Sequence, residues 1–201
     1  MRAPDGTTAI PGFSERTGRA STNLMKGTPL NDTIAKRRVF AMLDADGDGI
    51  VSKHEYLART KHVVAATRRA ENDPLVIAAQ VAGEQAWASM DSNGDGRMTF
   101  DEYAAWAGTE AFDSVCEPTL GALFDLADTD ADGTLTRSEF TILREALGNP
   151  VGNAHAAFDA LDTDGDGRIS REQYLASIRE HVTGEGSPMG EALYSDVTAA
   201  P

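Results

Sequence analysis

A single cysteine, Cys116, stands in 201 residues. That excludes an internal disulfide framework and suits a reducing compartment. Cations are scarce as well: 18 Lys and Arg face 32 Asp and Glu, a net charge of −14, which argues against nucleic acid or an anionic membrane surface as the primary partner. No run of about 18 apolar residues occurs, so no transmembrane helix is expected. The first thirty residues lack the short apolar core of a secretory signal, and a cytoplasmic location follows. His54, His62, His155 and His181 fall at no metal-ligand or triad spacing and read as solvated or helix-face histidines. Cys116 reads as a small buried hydrophobe, with a reactive thiol as the alternative. No catalytic constellation emerges, so the chain is not read as an enzyme.

What is present is a globular complement of apolar residues, 41% of the chain, with a strongly uneven charge distribution. Residues 1–70 carry +5 and residues 71–201 carry −19. Either the helix faces differ in their solvated charges, or the basic front half docks on the acidic back half or an acidic partner. Residues 1–30 are a different material. Fourteen of the thirty are Gly, Pro, Ser or Thr, a composition that cannot bury enough apolar surface to offset its ordering entropy, so a flexible tail is expected.

From residue 31 the sequence repeats one template: a helical run, twelve residues rich in Asp and Gly, then another helical run. The four segments are DADGDGIVSKHE (44–55), DSNGDGRMTFDE (91–102), DTDADGTLTRSE (128–139) and DTDGDGRISREQ (162–173). Phe40, Trp87, Phe124 and Phe158 lie four residues before each first Asp, and Tyr56, Tyr103, Phe140 and Tyr174 directly follow each last position. Eight matches in a chain only 6% aromatic mark core residues of a repeated helix–loop–helix unit. Asp32 or Thr33 can cap a helix entering the first loop, and a helix leaving it runs to about Asn72. Asp73–Pro74 opens a helix through Met90. Pro118 and Pro150 mark the starts of the helices entering the third and fourth loops. The gaps between loops are 35, 25 and 22 residues, so the first pair is joined by longer helices.

Calcium takes six to eight oxygens at about 2.3–2.6 Å, and twelve residues supply them only by curling tightly around the ion. Side-chain oxygens come from positions 1, 3, 5, 9 and 12 and a carbonyl from position 7; glycine at position 6 permits the sharp turn. In the first loop these are Asp44, Asp46, Asp48, Ser52, Glu55 and the Ile50 carbonyl. The second offers Asp91, Asn93, Asp95, Thr99, Glu102 and the Arg97 carbonyl. The third offers Asp128, Asp130, Asp132, Thr136, Glu139 and the Thr134 carbonyl. All three match the complete motif. The fourth has Asp162, Asp164, Asp166, Ser170 and the Arg168 carbonyl, but position 12 is Gln173. Gln173 offers one neutral oxygen where a carboxylate offers two charged ones, so this loop is a weaker site or a structural partner for the third. Val51, Met98, Leu135 and Ile169 at position 8 are expected to meet in pairs as short antiparallel bridges, loop 1 with loop 2 and loop 3 with loop 4.

These loops and flanking aromatics resemble the EF-hand proteins, with four hands over residues 31–182. The unequal loop spacing is similar to that of the sarcoplasmic calcium-binding protein and calerythrin group. The resemblance implies an all-α fold of four helix–loop–helix units in two compactly packed pairs, 31–110 and 111–182, followed by a C-terminal segment 183–201. It further implies a cytosolic calcium buffer: three Ca2+ sites, a doubtful fourth, Mg2+ as competitor, a monomer, and no known protein target. A sensor that opens an apolar groove is the alternative. Only Met42, Met90 and Met98 lie within the hands, thin for the Met-rich groove sensors use. A ligand-binding, photoprotein-like relative is the third reading, although such proteins look richer in Trp and Tyr. In the C-terminal segment Met189, Leu193 and Val197 recur every four residues, as on one face of a short helix able to occupy a groove of the hands.

Overall fold

A computed structural model of the chain describes residues 29–195. Around the first two loops run α1 (Pro29–Leu43), β1 (Ile50–Ser52), α2 (Lys53–Thr67), α3 (Pro74–Met90), β2 (Arg97–Thr99) and α4 (Phe100–Trp106). A three-residue α5 (Thr109–Ala111) and a π-helical turn (Phe112–Cys116) lead into α6 (Glu117–Ala127). Then follow β3 (Thr134–Thr136), α7 (Arg137–Ala146), α8 (Val151–Leu161), β4 (Arg168–Ser170), α9 (Arg171–Val182) and α10 (Pro188–Leu193). The architecture is all-α apart from two antiparallel ladders of three residues per strand. In them Val51 faces Met98 and Leu135 faces Ile169, as the position-8 pattern predicts.

Each outgoing helix begins the same way. Ser52, Thr99, Thr136 and Ser170 cap α2, α4, α7 and α9, each accepting a hydrogen bond from the backbone N–H three residues on. Glu55, Glu102, Glu139 and Gln173 in turn accept, through their side chains, from the cap's backbone N–H, closing a capping box. Positions 9 and 12 of every loop therefore start a helix as well as face the loop. Asp73 caps α3, accepting from Leu75 N, with Pro74 at the first helical position, and the helix ends at Met90 as its sequence predicts.

Other boundaries differ from the sequence reading. The first helix begins at Pro29, so Pro29 and Leu30 do not belong to the tail and Thr33 lies inside a helix instead of capping it; residues 1–28 lie outside the described residues. The second stops at Thr67, five residues short of Asn72, because Arg68 turns left-handed (φ 54°) and its N–H closes on Ala65 O. This turn delivers Arg69 to the end of α6, where the guanidinium donates to the carbonyls of Leu126 (2.9 Å), Asp125 (3.2 Å) and Asp128 (2.8 Å). Carbonyls at a helix C-terminus lack intrahelical partners and favour a cation. Pro118 is the second residue of α6, but helical backbone already runs into it through the π-turn. Pro150 caps α8, which starts at Val151.

Two apolar clusters hold the fold. One surrounds the first ladder, with Phe40, Leu43, Trp87, Met90 and Tyr103. The larger one surrounds the second ladder through Phe124, Phe140, Phe158 and Tyr174, and takes in Val63, Val76 and Ala79 from α2 and α3. Of the eight template aromatics, only Tyr56 is half-buried; the others are in the core. Met189, Leu193 and Tyr194 also enter the larger cluster, because α10 packs along α8, where Asn149 and Asn153 donate to Leu193 O at 3.1 and 3.3 Å. Val197, the third residue of the predicted apolar face, lies outside the described residues. His181 is not a solvated histidine: it is 3% exposed and stacks on Tyr194 with ring centroids 5.0 Å apart. Arg38 of the basic front half pairs with Glu191 of α10 at 2.7 Å. No helix among the described residues is long and apolar enough to cross a membrane.

Candidate metal centres

The backbone of each loop folds onto its own carboxylates. In loop 1 Asp44 accepts from Gly47 N (2.9 Å), Asp48 N (3.2 Å) and Gly49 N (2.9 Å), Asp46 from Asp48 N (3.1 Å), and Asp48 from Ile50 N (2.8 Å). Gly49 adopts φ 85°, the left-handed turn that position 6 demands. Loop 3 repeats the pattern, Asp128 accepting from Asp132 N (3.1 Å) and Gly133 N (2.8 Å). Position 4 is also left-handed in every loop: glycine at 47, 94 and 165, but Ala131 (φ 58°) in loop 3.

The position-12 side chain closes the first and third loops. Glu55 spans from Ser52 (N 2.8 Å, Oγ 2.6 Å) to Ala45 N at 3.1 Å, and Glu139 spans from Thr136 (N 3.0 Å, Oγ1 2.8 Å) to Thr129 N at 2.9 Å. Hydrogen bonds from the Ser52 side chain and backbone hold the Glu55 carboxyl below its usual range. Burial pushes Glu139 up, but the bonds from Thr129 and Thr136 outweigh it and leave that carboxyl lowered too. In loop 2 Glu102 accepts from Thr99 N (2.9 Å) and from Asn93 Nδ2 (2.8 Å), so Asn93 bridges across the loop.

Loop 4 departs from the others at both ends. Gln173 accepts from Ser170 N at 2.8 Å, which satisfies the capping box, yet among the described residues it makes no bond to the start of the loop. Among the same residues Asp162 accepts only from Gly167 N (3.1 Å), and its Oδ1 is buried with no donor. An orphaned anionic oxygen inside an acidic loop suits a cation.

Carboxylate oxygens lie within 4.8 Å of one another for Asp44, Asp46 and Asp48, for Asp128, Asp130 and Glu139, and for Asp162, Asp164 and Asp166. Glu55 stands outside the first set and Asp132 outside the second. The Asp132 carboxylate accepts instead from Thr134 N (2.9 Å) and Oγ1 (2.7 Å) and pairs with Arg168, whose guanidinium crosses from loop 4 and donates to Thr134 Oγ1 at 2.9 Å. Hydrogen bonds from the Thr134 side chain and backbone, joined by Arg168, lower the Asp132 carboxyl. Burial and the neighbouring Asp132 charge raise that of Asp130. Sequence reasoning assigned Arg168 only a carbonyl; its side chain carries no spacing signature and was missed. The position-12 capping boxes were legible, since Ser or Thr followed three residues later by Glu or Gln is a cap signal.

Loops of this form, paired through their position-8 residues and flanked by helices, define an EF-hand calcium-binding protein. Family models agree: the EF-hand domain pair matches residues 117–179 and the EF hand matches 36–58, so the segments that hold loops 1, 3 and 4 are EF hands. It is 34% identical over 102 residues to a probable calcium-binding protein, CML16, of Oryza sativa subsp. japonica, covering 51% of this chain and 52% of that one. It is 28% identical over 111 residues to calmodulin-like protein 2 of Arabidopsis thaliana, covering 55% and 66%. The chain thus spans about half to two thirds of the length of these curated relatives. Among solved structures, a calcium-binding protein of Streptomyces coelicolor superposes with a TM-score of 0.62 at 28% identity, covering 74% of this chain and 98% of that one. An n-aequorin structure superposes at 0.68 and 16% identity, covering 86% and 95%, which concerns the fold.

Proposed function

We propose that the chain is an intracellular Ca2+ buffer of the sarcoplasmic calcium-binding protein type, with hands paired over 31–110 and 111–182, three full sites and a weaker fourth. Asp44, Asp46, Asp48, Ser52 and Glu55 with the Ile50 carbonyl would hold the ion in loop 1, and the corresponding residues in loops 2 and 3. Loop 4 would use Asp162, Asp164, Asp166 and Ser170, with Gln173 contributing a single neutral oxygen. The bound ion supplies positive charge that offsets the mutual repulsion of the clustered carboxylates, so binding and compactness are coupled. Mg2+ competes where its smaller, octahedral shell can form.

The observation that carries the buffer reading is α10. Met189 and Leu193, each 1% exposed, fill the seam beside α8, so apolar surface that a target helix would need is covered by the chain's own residues. Calorimetric Ca2+ titration with and without Mg2+ tests the sites: three or more binding events support the assignment, and absence of heat refutes it. A polarity-sensitive dye tests the role. The expected result is little Ca2+-induced fluorescence in the full chain and a large rise after deletion of 186–201. A large rise in the full chain would establish the sensor reading, toward which the calcium-mediated regulation ascribed to the Streptomyces coelicolor protein points.

A further inference from the structure

A partly open cavity of about 90 Å³ is enclosed mainly by apolar and aromatic side chains of α1, α2, α4, α6, α9 and the π-turn. Two of its lining residues do not belong in such a place by ordinary rules. Arg144 is 2% exposed, yet its guanidinium meets neutral groups, Tyr174 OH at 3.1 Å and Asn149 Oδ1 at 2.7 Å, with Tyr194 beside it. Its Nε is buried with no acceptor, and so is the Nε of Arg59, a half-buried side chain that otherwise rests near the Tyr56 ring at 5.9 Å. Among the described residues neither arginine makes an ion pair, in a chain where carboxylates outnumber cations by 14. Burying a cation such as Arg144 without a counter-charge costs roughly several kcal/mol unless something anionic arrives to meet it.

The remaining polar groups of the cavity have the same bias. The hydroxyls of Tyr56 and Tyr103 make no hydrogen bond among the described residues and stand free to donate. Burial pushes the Cys116 thiol up to about 12, so it supplies no negative charge at neutral pH. Burial works against the Arg144 charge, but Tyr174 and Tyr194 beside it raise its pKa above the usual value. An arginine fork fits a carboxylate in bidentate fashion. The π-turn that contributes Phe112 and Cys116 is a rare local geometry often associated with sites.

We infer that this cavity binds a small monocarboxylate with an apolar body, its carboxylate between Arg59 and Arg144 and its aliphatic part against Met42, Phe112 and Leu123. An engineered cavity of about 150 Å³ accepts benzene; the present volume suits a body of about four carbons, and the open side leaves room for a longer tail. The site borders the ends of loops 1 and 2 through Leu43, Tyr56, Met90 and Tyr103, but contains none of the metal ligands and does not rest on their assignment.

The test uses the full chain, with hexanoate and its neutral amide as probes, read by calorimetry and by the fluorescence of Trp106, which lines the cavity. Saturable hexanoate binding is expected, with hexanamide at least ten-fold weaker. Arg59→Met and Arg144→Met should each weaken hexanoate at least ten-fold and leave the amide unchanged, and Cys116→Phe should block both while the Ca2+ titration stays as it was. If Arg144→Met does not fold, judged by circular dichroism, Arg59→Met decides. Failure of hexanoate to saturate at millimolar concentration, equal binding of acid and amide, or unaltered hexanoate binding by Arg59→Met would overturn the inference.

Discussion

Replacing Gln173 by Glu isolates what one carboxylate does for a loop. In loops 1 and 3 the glutamate is a clasp: one oxygen sits on the cap residue, and the other accepts from the position-2 N–H at 3.1 Å (Ala45) or 2.9 Å (Thr129). Gln173 makes only the first half of this clasp, to Ser170 N at 2.8 Å. The substitution offers a charged acceptor to Thr163 N–H, which now donates to Leu161 O at 2.9 Å and must turn to it, a charge-assisted bond of the kind worth about 1.5–3 kcal/mol, and gives the ion a second, charged oxygen. If about 2 kcal/mol is realised on binding, loop 4 gains roughly 30-fold in Ca2+ affinity. The same charge faces Asp162, Asp164 and Asp166, so it should lower the melting temperature of the calcium-free chain while raising that of the loaded chain. This opposite pair of shifts separates a metal effect from a helix-cap effect, because glutamine already completes the capping box. Calorimetric titration and paired thermal melts make the measurement. An unchanged titration, or melts that shift in the same direction, would refute the clasp.

Three further outcomes follow from particular residues. Arg168→Gln should free the Asp132 carboxylate and strengthen Ca2+ binding by loop 3; both partners are a third or more exposed, so the gain is held to about 2- to 5-fold, from a surface pair worth about 0.2–1 kcal/mol, and weaker binding would mean that Arg168 orients Asp132 productively. Ala131→Gly should stabilise the chain by about 0.5–1 kcal/mol, because an L-residue in the left-handed region costs about 1–2 kcal/mol, partly offset by the entropy of glycine; a melting temperature raised by a few degrees agrees, and an unchanged one does not. Burial holds the His181 pKa below its ordinary value of about 6.5, Arg38 adding to this and Glu191 opposing it. The unfolded chain therefore binds a proton that the folded one refuses, and this contribution to stability is full above pH 6.5 and lost as pH falls toward the lowered value. Calcium-free melts between pH 7.5 and 5.5 should lose part of their pH slope in His181→Gln, and an identical slope would dismiss the effect.

The sequence by itself determined the four loops, their helical flanks, the pairing of Val51 with Met98 and Leu135 with Ile169, and most of the aromatic core. All of these are local: ligand spacing, glycine at the turn and a cap within three residues repeat in every copy, so each unit states its own geometry. It also indicated that Met189 and Leu193 share a face able to occupy a groove of the hands, but not which helix they lie against. Only the tertiary structure decided that α10 lies along α8, that Arg69 closes the end of α6, that Arg168 reaches Asp132 from 36 residues away, and that Arg59 and Arg144 share one cavity. Such contacts join positions far apart in the chain, where flexible side chains leave no periodic trace and a buried charge becomes visible only when its neighbours are in place.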